Sequence, residues 1–185
     1  MEKINLKIAI IIAIIVPLGV LGYVFKGLFI AATVDNSPIS RLAIIQKIEK
    51  ASGKNVLDSF VTEKLIQNEA RAKKIVVSND EINAEIKKIG DQIKAQGGAL
   101  EAALSAQGMT INELKKQIIL QKQVEKLLAD KLNVTDEEVA KYIKDNKVPV
   151  DQAKDDLRNQ KLNQEAANLI TTLKSEAKIR YFVSY

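Results

Sequence analysis

The chain has 185 residues, 46% of them apolar and 28% charged, with a net charge of +5, the balance of a folded domain and not of a disordered one. It contains no Cys, His or Trp, which excludes disulfides, iron–sulfur clusters, thiolate zinc sites, thiol nucleophiles and Ser-His-Asp catalysis and leaves carboxylates, Lys, Tyr, Ser and Thr for any chemistry. Acids and bases are interspersed and aromatics are only 4%, so the clustered basic and aromatic footprint of a nucleic-acid binder is missing and no nucleic-acid partner is expected.

Ile8–Phe25 (IAIIIAIIVPLGVLGYVF) is uncharged and, at about 1.5 Å per residue, reaches roughly 27 Å as a helix, close to the hydrocarbon thickness of a bilayer. Lys26 can snorkel, and Gly27–Ala32 extends the apolar run. Residues 1–33 are therefore predicted to be a cytoplasmic N-terminus and a transmembrane signal anchor, with the span at about 8–30. Lys3 and Lys7 precede the span, which favours the N-terminus inside. The chain is then a single-pass protein of the cell (inner) membrane, with its bulk on the extracytoplasmic side. Cleavage after a small-residue site at Ile30-Ala31-Ala32 is the competing reading. A signal peptide's apolar core is usually only about 7–15 residues, shorter than this one.

Thr33–Ile39 has strand-like ends around Asp-Asn-Ser-Pro and predicts a short hairpin. Ser40 then caps a helix bearing Leu42, Ile45 and Ile48, expected to stop at Gly53. The next helix carries Leu57, Phe60, Val61 and Leu65 to about Lys73. Three S/T-x-x-E capping boxes follow, Ser78–Glu81, Thr110–Glu113 and Thr135–Glu138. Each is flanked by an apolar staple pair: Val77 with Ile82, Met109 with Leu114, Val134 with Val139. Ile82, Ile86, Ile89 and Ile93 form one narrow stripe, ended by Gly97-Gly98. Leu100–Leu104 marks a short helix closed by Gly108. The helix after Thr110 is Gln-rich on its polar positions, at Gln117, Gln121 and Gln123. The helix after Thr135 ends near Asn146, and a return helix runs from about 152 to 178. Ile179–Val183 is β-branched and aromatic. As a strand it needs a partner, so the two ends of the soluble part are predicted to meet in a small sheet with the hairpin. The fold class is mostly α.

The order of these signals resembles the N-terminal chaperone domain of the SurA/PrsA parvulin-type foldase family. Val34–Ser40 resembles its opening hairpin, with Asp35-Asn36 where the family has Asn-Gly. Leu57–Val77 resembles its first long helix, Ser78–Ile82 its "S-D-E-E-(I/V)" start, Leu100–Leu114 its "L-x-x-x-L-x-x-x-G-(M/L)-T-x-x-x-(L/F)" pattern and Val134–Ile143 its "V-(T/S)-D-E-E" segment. Ala177–Tyr181 resembles the end of its return helix. The resemblance covers about 34–185 and implies a SurA N-terminal-like helical chaperone domain. Between Ile143 and Gln152 there is room for a turn, where the family carries its isomerase domain, and the His and Cys of parvulin sites do not occur. No residue is carried over as catalytic.

The expected function is a membrane-anchored, extracytoplasmic, ATP-independent holdase. It would bind unfolded or newly exported polypeptides through an apolar cleft between helices. No phosphate-binding G-x-x-x-x-G-K-[ST] motif occurs, and no cofactor or metal is expected. The alternative is an anchored adaptor for one defined partner, with Asn112–Lys131 and the return helix as contact faces. A homodimer formed by helix exchange fits the same sequence. Peptidyl-prolyl isomerisation or hydrolysis by Asp136, Glu137 and Glu138 is the remaining reading, but the macrodipole already explains acids in a helix's first turn. Cleft residues are of the same apolar types as core residues, so the peptide-binding residues are unknown at this stage.

Overall fold

The computed structural model describes residues 26–185. Ile8–Phe25, and with it most of the predicted 8–30 span, lies outside the described residues. Among those described, no helix is long and apolar enough to cross a membrane. The described end of that span is a single turn, α1 (Lys26–Phe29), which stops where Ile30 enters a strand.

The hairpin forms as expected. Strands β1 (Ile30–Val34) and β2 (Ser37–Ser40) pair antiparallel, Val34 opposite Ser37 and Ile30 opposite Ser40, with an irregularity between Ile30 and Ala32. Asp35 and Asn36 take φ of 47° and 65°. Two successive left-handed residues are what a tight two-residue hairpin turn requires, and Asp and Asn tolerate that region better than most side chains. Pro38 sits in β2 without penalty, because a two-stranded sheet leaves each strand an unpaired edge.

The predicted closing strand does not form. The sheet contains β1 and β2 alone. Ile179 N–H donates to the Ala177 carbonyl (3.1 Å) within its own turn, and Tyr181, Phe182 and Val183 are exposed. The two ends of residues 34–185 are therefore not joined by a sheet. β-branched and aromatic residues favour a pleated surface only where there is an apolar face to pack on, and this run has none.

Helix α2 (Arg41–Ala72) runs straight through Gly53, where a break was expected. A glycine ends a helix by adopting the left-handed region, and Gly53 does not. In a helix interior it costs only about 1 kcal/mol relative to Ala, too little to interrupt helix-compatible flanks. The Tyr185 ring lies so close that a Cβ on Gly53 would sit 2.8 Å from it.

Four further helices obey the local signals. Helix α3 (Asn79–Ala95), α5 (Ile111–Leu127) and α6 (Asp136–Asn146) each begin at a complete capping box. The box Glu accepts from the cap residue's backbone N–H at 2.8 Å at Ser78, 2.7 Å at Thr110 and 2.8 Å at Thr135. The cap hydroxyl accepts in return from the Glu amide. Between them lies α4 (Leu100–Ala106). The helix ends turn at Gly97 and Gly108, both with positive φ, as the glycine signals implied. The return helix α7 (Val150–Glu176) starts behind Pro149, within a turn of its expected bounds, and only Lys147–Pro149 separate it from α6. Lys147 takes the left-handed C-cap position that glycine more often fills. Among the described residues this makes seven α-helices and one two-stranded sheet.

The chain divides into two units. One runs up to Leu57 and includes Phe182–Tyr185; the other is Asp58–Tyr181. The second contains the core: Ile82, Leu104, Leu114 and Ile118 from α3, α4 and α5. Val77 and Met109, the N-terminal members of two staples, pack against it together with Ile86, Ile89, Leu100 and Ile119. Ile66 and Ala70 of α2, Leu128, Leu132, Val139 of α6 and Ala153 of α7 are also buried.

Candidate functional site: a cleft between α2 and α5

Two helices of the second unit border an open hollow of about 470 Å³, within the roughly 300–1,000 Å³ typical of ligand clefts. From α2 come Glu63, Gln67 and Arg71, spaced four residues apart and so stacked on one face. From α5 come Lys116, Ile119, Leu120 and Gln123, at the spacing that shares one helix face. Ile75, just after α2, completes the lining. Helix α5 buries its opposite side through Leu114 and Ile118, and α2 is buried at Ile66 and Ala70, which flank its lining residues. The cleft therefore has an aliphatic floor of Ile75, Ile119 and Leu120 beneath a rim of amides and both charge signs.

The rim is partly satisfied. Gln67 Nε2 donates to Glu63 Oε1 at 2.8 Å. Gln123 Oε1, by contrast, is buried and has no hydrogen-bond partner among the described residues. A buried amide oxygen left unpaired costs about 1–3 kcal/mol, so Gln123 is the least satisfied polar side chain of the lining.

Around the cleft the charges are committed to structure. Lys126, near the end of α5, donates to the Val76 carbonyl (2.8 Å) and pairs with Glu81, the capping-box acid of α3 (2.7 Å). Lys161 of α7 repeats the arrangement on α6: it donates to the Asn133 carbonyl and pairs with the box acid Glu138 at 2.8 Å. In both cases one lysine grips the carbonyl two residues before the cap and the carboxylate three residues after it. The Lys126 ammonium, with the Ser78 amide and hydroxyl, holds Glu81 down at about 2. Lys161 and the Thr135 amide lower Glu138, and the Thr110 amide and hydroxyl lower Glu113. Lys122 is partly buried, which works against its charge, but Glu125 (3.0 Å) and Glu85 (3.1 Å) outweigh this and raise it.

A second hollow of about 230 Å³ lies among Glu138, Lys141, Tyr142, Asp145 and Leu157. Its Glu138 is already held by the cap and by Lys161. Burial and the neighbouring Asp156 raise Tyr142, whose hydroxyl lies 3.3 Å from that carboxylate. The acids Asp136, Glu137 and Glu138 do lie in the first turn of α6, where the macrodipole accounts for them. Of the Gln-rich face, Gln123 enters the cleft while Gln121 is tied to Glu125 at 3.0 Å. The sequence did not single out Gln67, Arg71 or Ile75; nothing in a one-dimensional pattern distinguishes a helix face that meets a neighbour from one that faces it across a gap.

Residues 45–128 match the family model of the SurA-like N-terminal domain. This part of the chain is similar to the SurA-like N-terminal domain. It spans most of α2 and all of α3, α4 and α5, the elements that make the cleft and the core. The family model matched is that of the N-terminal domain, and no parvulin domain is evident in the match. Foldase protein PrsA from the Hall, Langeland and Okra strains of Clostridium botulinum is similar to the chain, 27% identical over 109 residues. The match takes in 55% of this chain and 32% of each PrsA sequence, so the chain spans about a third of the length of these relatives. No solved structure matches the chain.

Proposed function

We propose that the chain is an ATP-independent chaperone that holds unfolded or newly exported polypeptides, and that they bind in the cleft between α2 and α5. The observation that carries this reading is the cleft itself: an open aliphatic floor and an unpaired buried amide oxygen, built on a SurA-like domain. Apolar surface of this size binds extended segments weakly without driving association of the folded protein. The foldase relatives support a role in protein folding. No side chain is assigned a catalytic part, and a prolyl-isomerisation assay is expected to return the background rate.

We further propose that Ile8–Phe25 anchors the chain in the inner membrane, with the domain on the extracytoplasmic side. Tethering raises the local concentration of the cleft where exported chains emerge. Resistance of the full chain to alkaline carbonate extraction tests the anchor.

The holding activity is tested with the full chain in detergent, mixed at several-fold excess with a chemically unfolded client. Light scattering by the client is expected to be suppressed. Leu120→Asp, which puts a charge on the cleft floor, is expected to weaken suppression several-fold while leaving the helical circular dichroism unchanged. Equal suppression by both proteins moves the binding site elsewhere, and no suppression by either overturns the chaperone reading.

A further inference from the structure

The first unit exposes more large apolar side chains than its own fold explains. Phe29 is 68% exposed, Leu42 61% and Ile48 60%, and Leu28, Val34, Ile39, Ile45 and Val56 are exposed as well. In the helical period, Leu42, Ile45, Ile48 and Val56 share one side of α2, while Lys47, Lys50 and Lys54 share the opposite side. Glu49 and Ser52 interrupt the aliphatic side, but four large aliphatic residues backed by three lysines still give the pattern of a helix lying in a membrane interface.

The hairpin supplies the geometry. Ile30 is five residues beyond Phe25, hence at most about 18 Å from it along the chain. The register then brings Ser40 back beside Ile30, at the roughly 5 Å spacing of paired strands. Helix α2 therefore starts beside Ile30, inside the continuation of the apolar N-terminal run, although ten residues of sequence intervene.

We propose that α1, the hairpin and the Arg41–Leu57 part of α2 lie against an anionic lipid surface, with the Leu42, Ile45, Ile48 and Val56 face turned into the interface. This rests on the reading of Ile8–Phe25 as an anchor. Charge favours lipid over a second copy of the chain as the occupant. Arg41–Leu57 contains Arg41, Lys47, Lys50 and Lys54 against one acid, Glu49. A two-fold contact through the aliphatic side would leave Lys47, Lys50 and Lys54 on its outer sides without counter-charges, whereas anionic headgroups neutralise them. The apolar face partitions among acyl chains while the lysine stems reach back to the headgroups.

The chain has no Trp, so a single introduced Trp reports alone. Full chains carrying Ile45→Trp, or Ala43→Trp on the lysine side, are reconstituted in phosphatidylcholine–phosphatidylglycerol vesicles with brominated acyl chains. Bromolipid is expected to quench Ile45→Trp emission about twofold and to leave Ala43→Trp nearly unchanged. Replacing phosphatidylglycerol by phosphatidylcholine is expected to weaken the quenching. Retention through alkaline carbonate washing with Ile45→Trp unquenched, or with both positions quenched alike, overturns the surface while the anchor stands. An unquenched Ile45→Trp that crosslinks chain to chain assigns the face to a second copy. Loss of the protein in carbonate overturns the anchor and this surface with it.

Discussion

Lys126 and Lys161 show how single residues convert local signals into tertiary ones. A capping box is closed within four residues of chain and needs nothing from elsewhere. Each of these lysines adds a partner from a distant helix, Lys126 reaching across fifty positions to the Val76 carbonyl and across forty-five to Glu81. The box therefore fixes both where a helix starts and which helix lies beside that start. The acid response follows. Glu81 is held at about 2 in the fold against an ordinary value of 4.5. A carboxylate depressed in the folded state stabilises it fully above its unfolded value and loses that contribution as pH falls through the folded one. Thermal unfolding followed by circular dichroism is expected to show a nearly constant midpoint above about pH 5 that drops toward pH 2. Lys126→Met should flatten that drop, and added salt should shrink it, because the pair is about one-third exposed. An unaltered profile in the variant would place the acid sensitivity elsewhere.

At the scale of elements, boundaries were legible where a short-range device set them. The three boxes, the Asp35-Asn36 turn and the Gly97 and Gly108 ends are such devices. Gly53 and Ile179–Val183 misled because their meaning depends on what lies next to them. The same glycine is a stop in the left-handed region and a shallow place for a ring in the right-handed one. The pairing of α6 with α7 is another element-scale fact. Pro149 and the three-residue connection force the helices to turn back, and Ala153, one turn into α7, is completely buried. Its small size sets how near that first turn packs. Ala153→Leu is expected to cost about 1–3 kcal/mol by overpacking, read as a lower urea midpoint. Ala153→Ser, of similar volume, should cost less; equal losses would show that polarity and not volume is what the site rejects.

For the whole molecule, burial is uneven. The α3–α4–α5 core has four buried aliphatic residues and six more packed on them, whereas Arg41–Leu57 exposes Leu42, Ile45 and Ile48. Local opening is easiest where few apolar contacts hold a helix. Hydrogen exchange of the full chain in detergent is expected to be slowest for amides of α3 and α5 and faster throughout Arg41–Leu57. Uniform protection over both would mean that the detergent, or another chain, covers the exposed face. Of the candidate site, the sequence showed the kind of surface but not its place. Leu120 and Ile119 are of the same apolar type as the buried Leu114 and Ile118, on another side of the same helix. Which of them line an opening depends on how far α2 stands from α5.

The amino-acid order alone determined the poverty of catalytic groups, the hairpin, the helix starts and the likeness to SurA-type domains. Composition and interactions closed within a few residues decide all of these. Only the tertiary structure decided that α2 passes Gly53, that the last residues remain outside the sheet, and that a cleft with an unpaired Gln123 oxygen stays open. Each of these turns on groups far apart in the chain, whose distances no local pattern encodes.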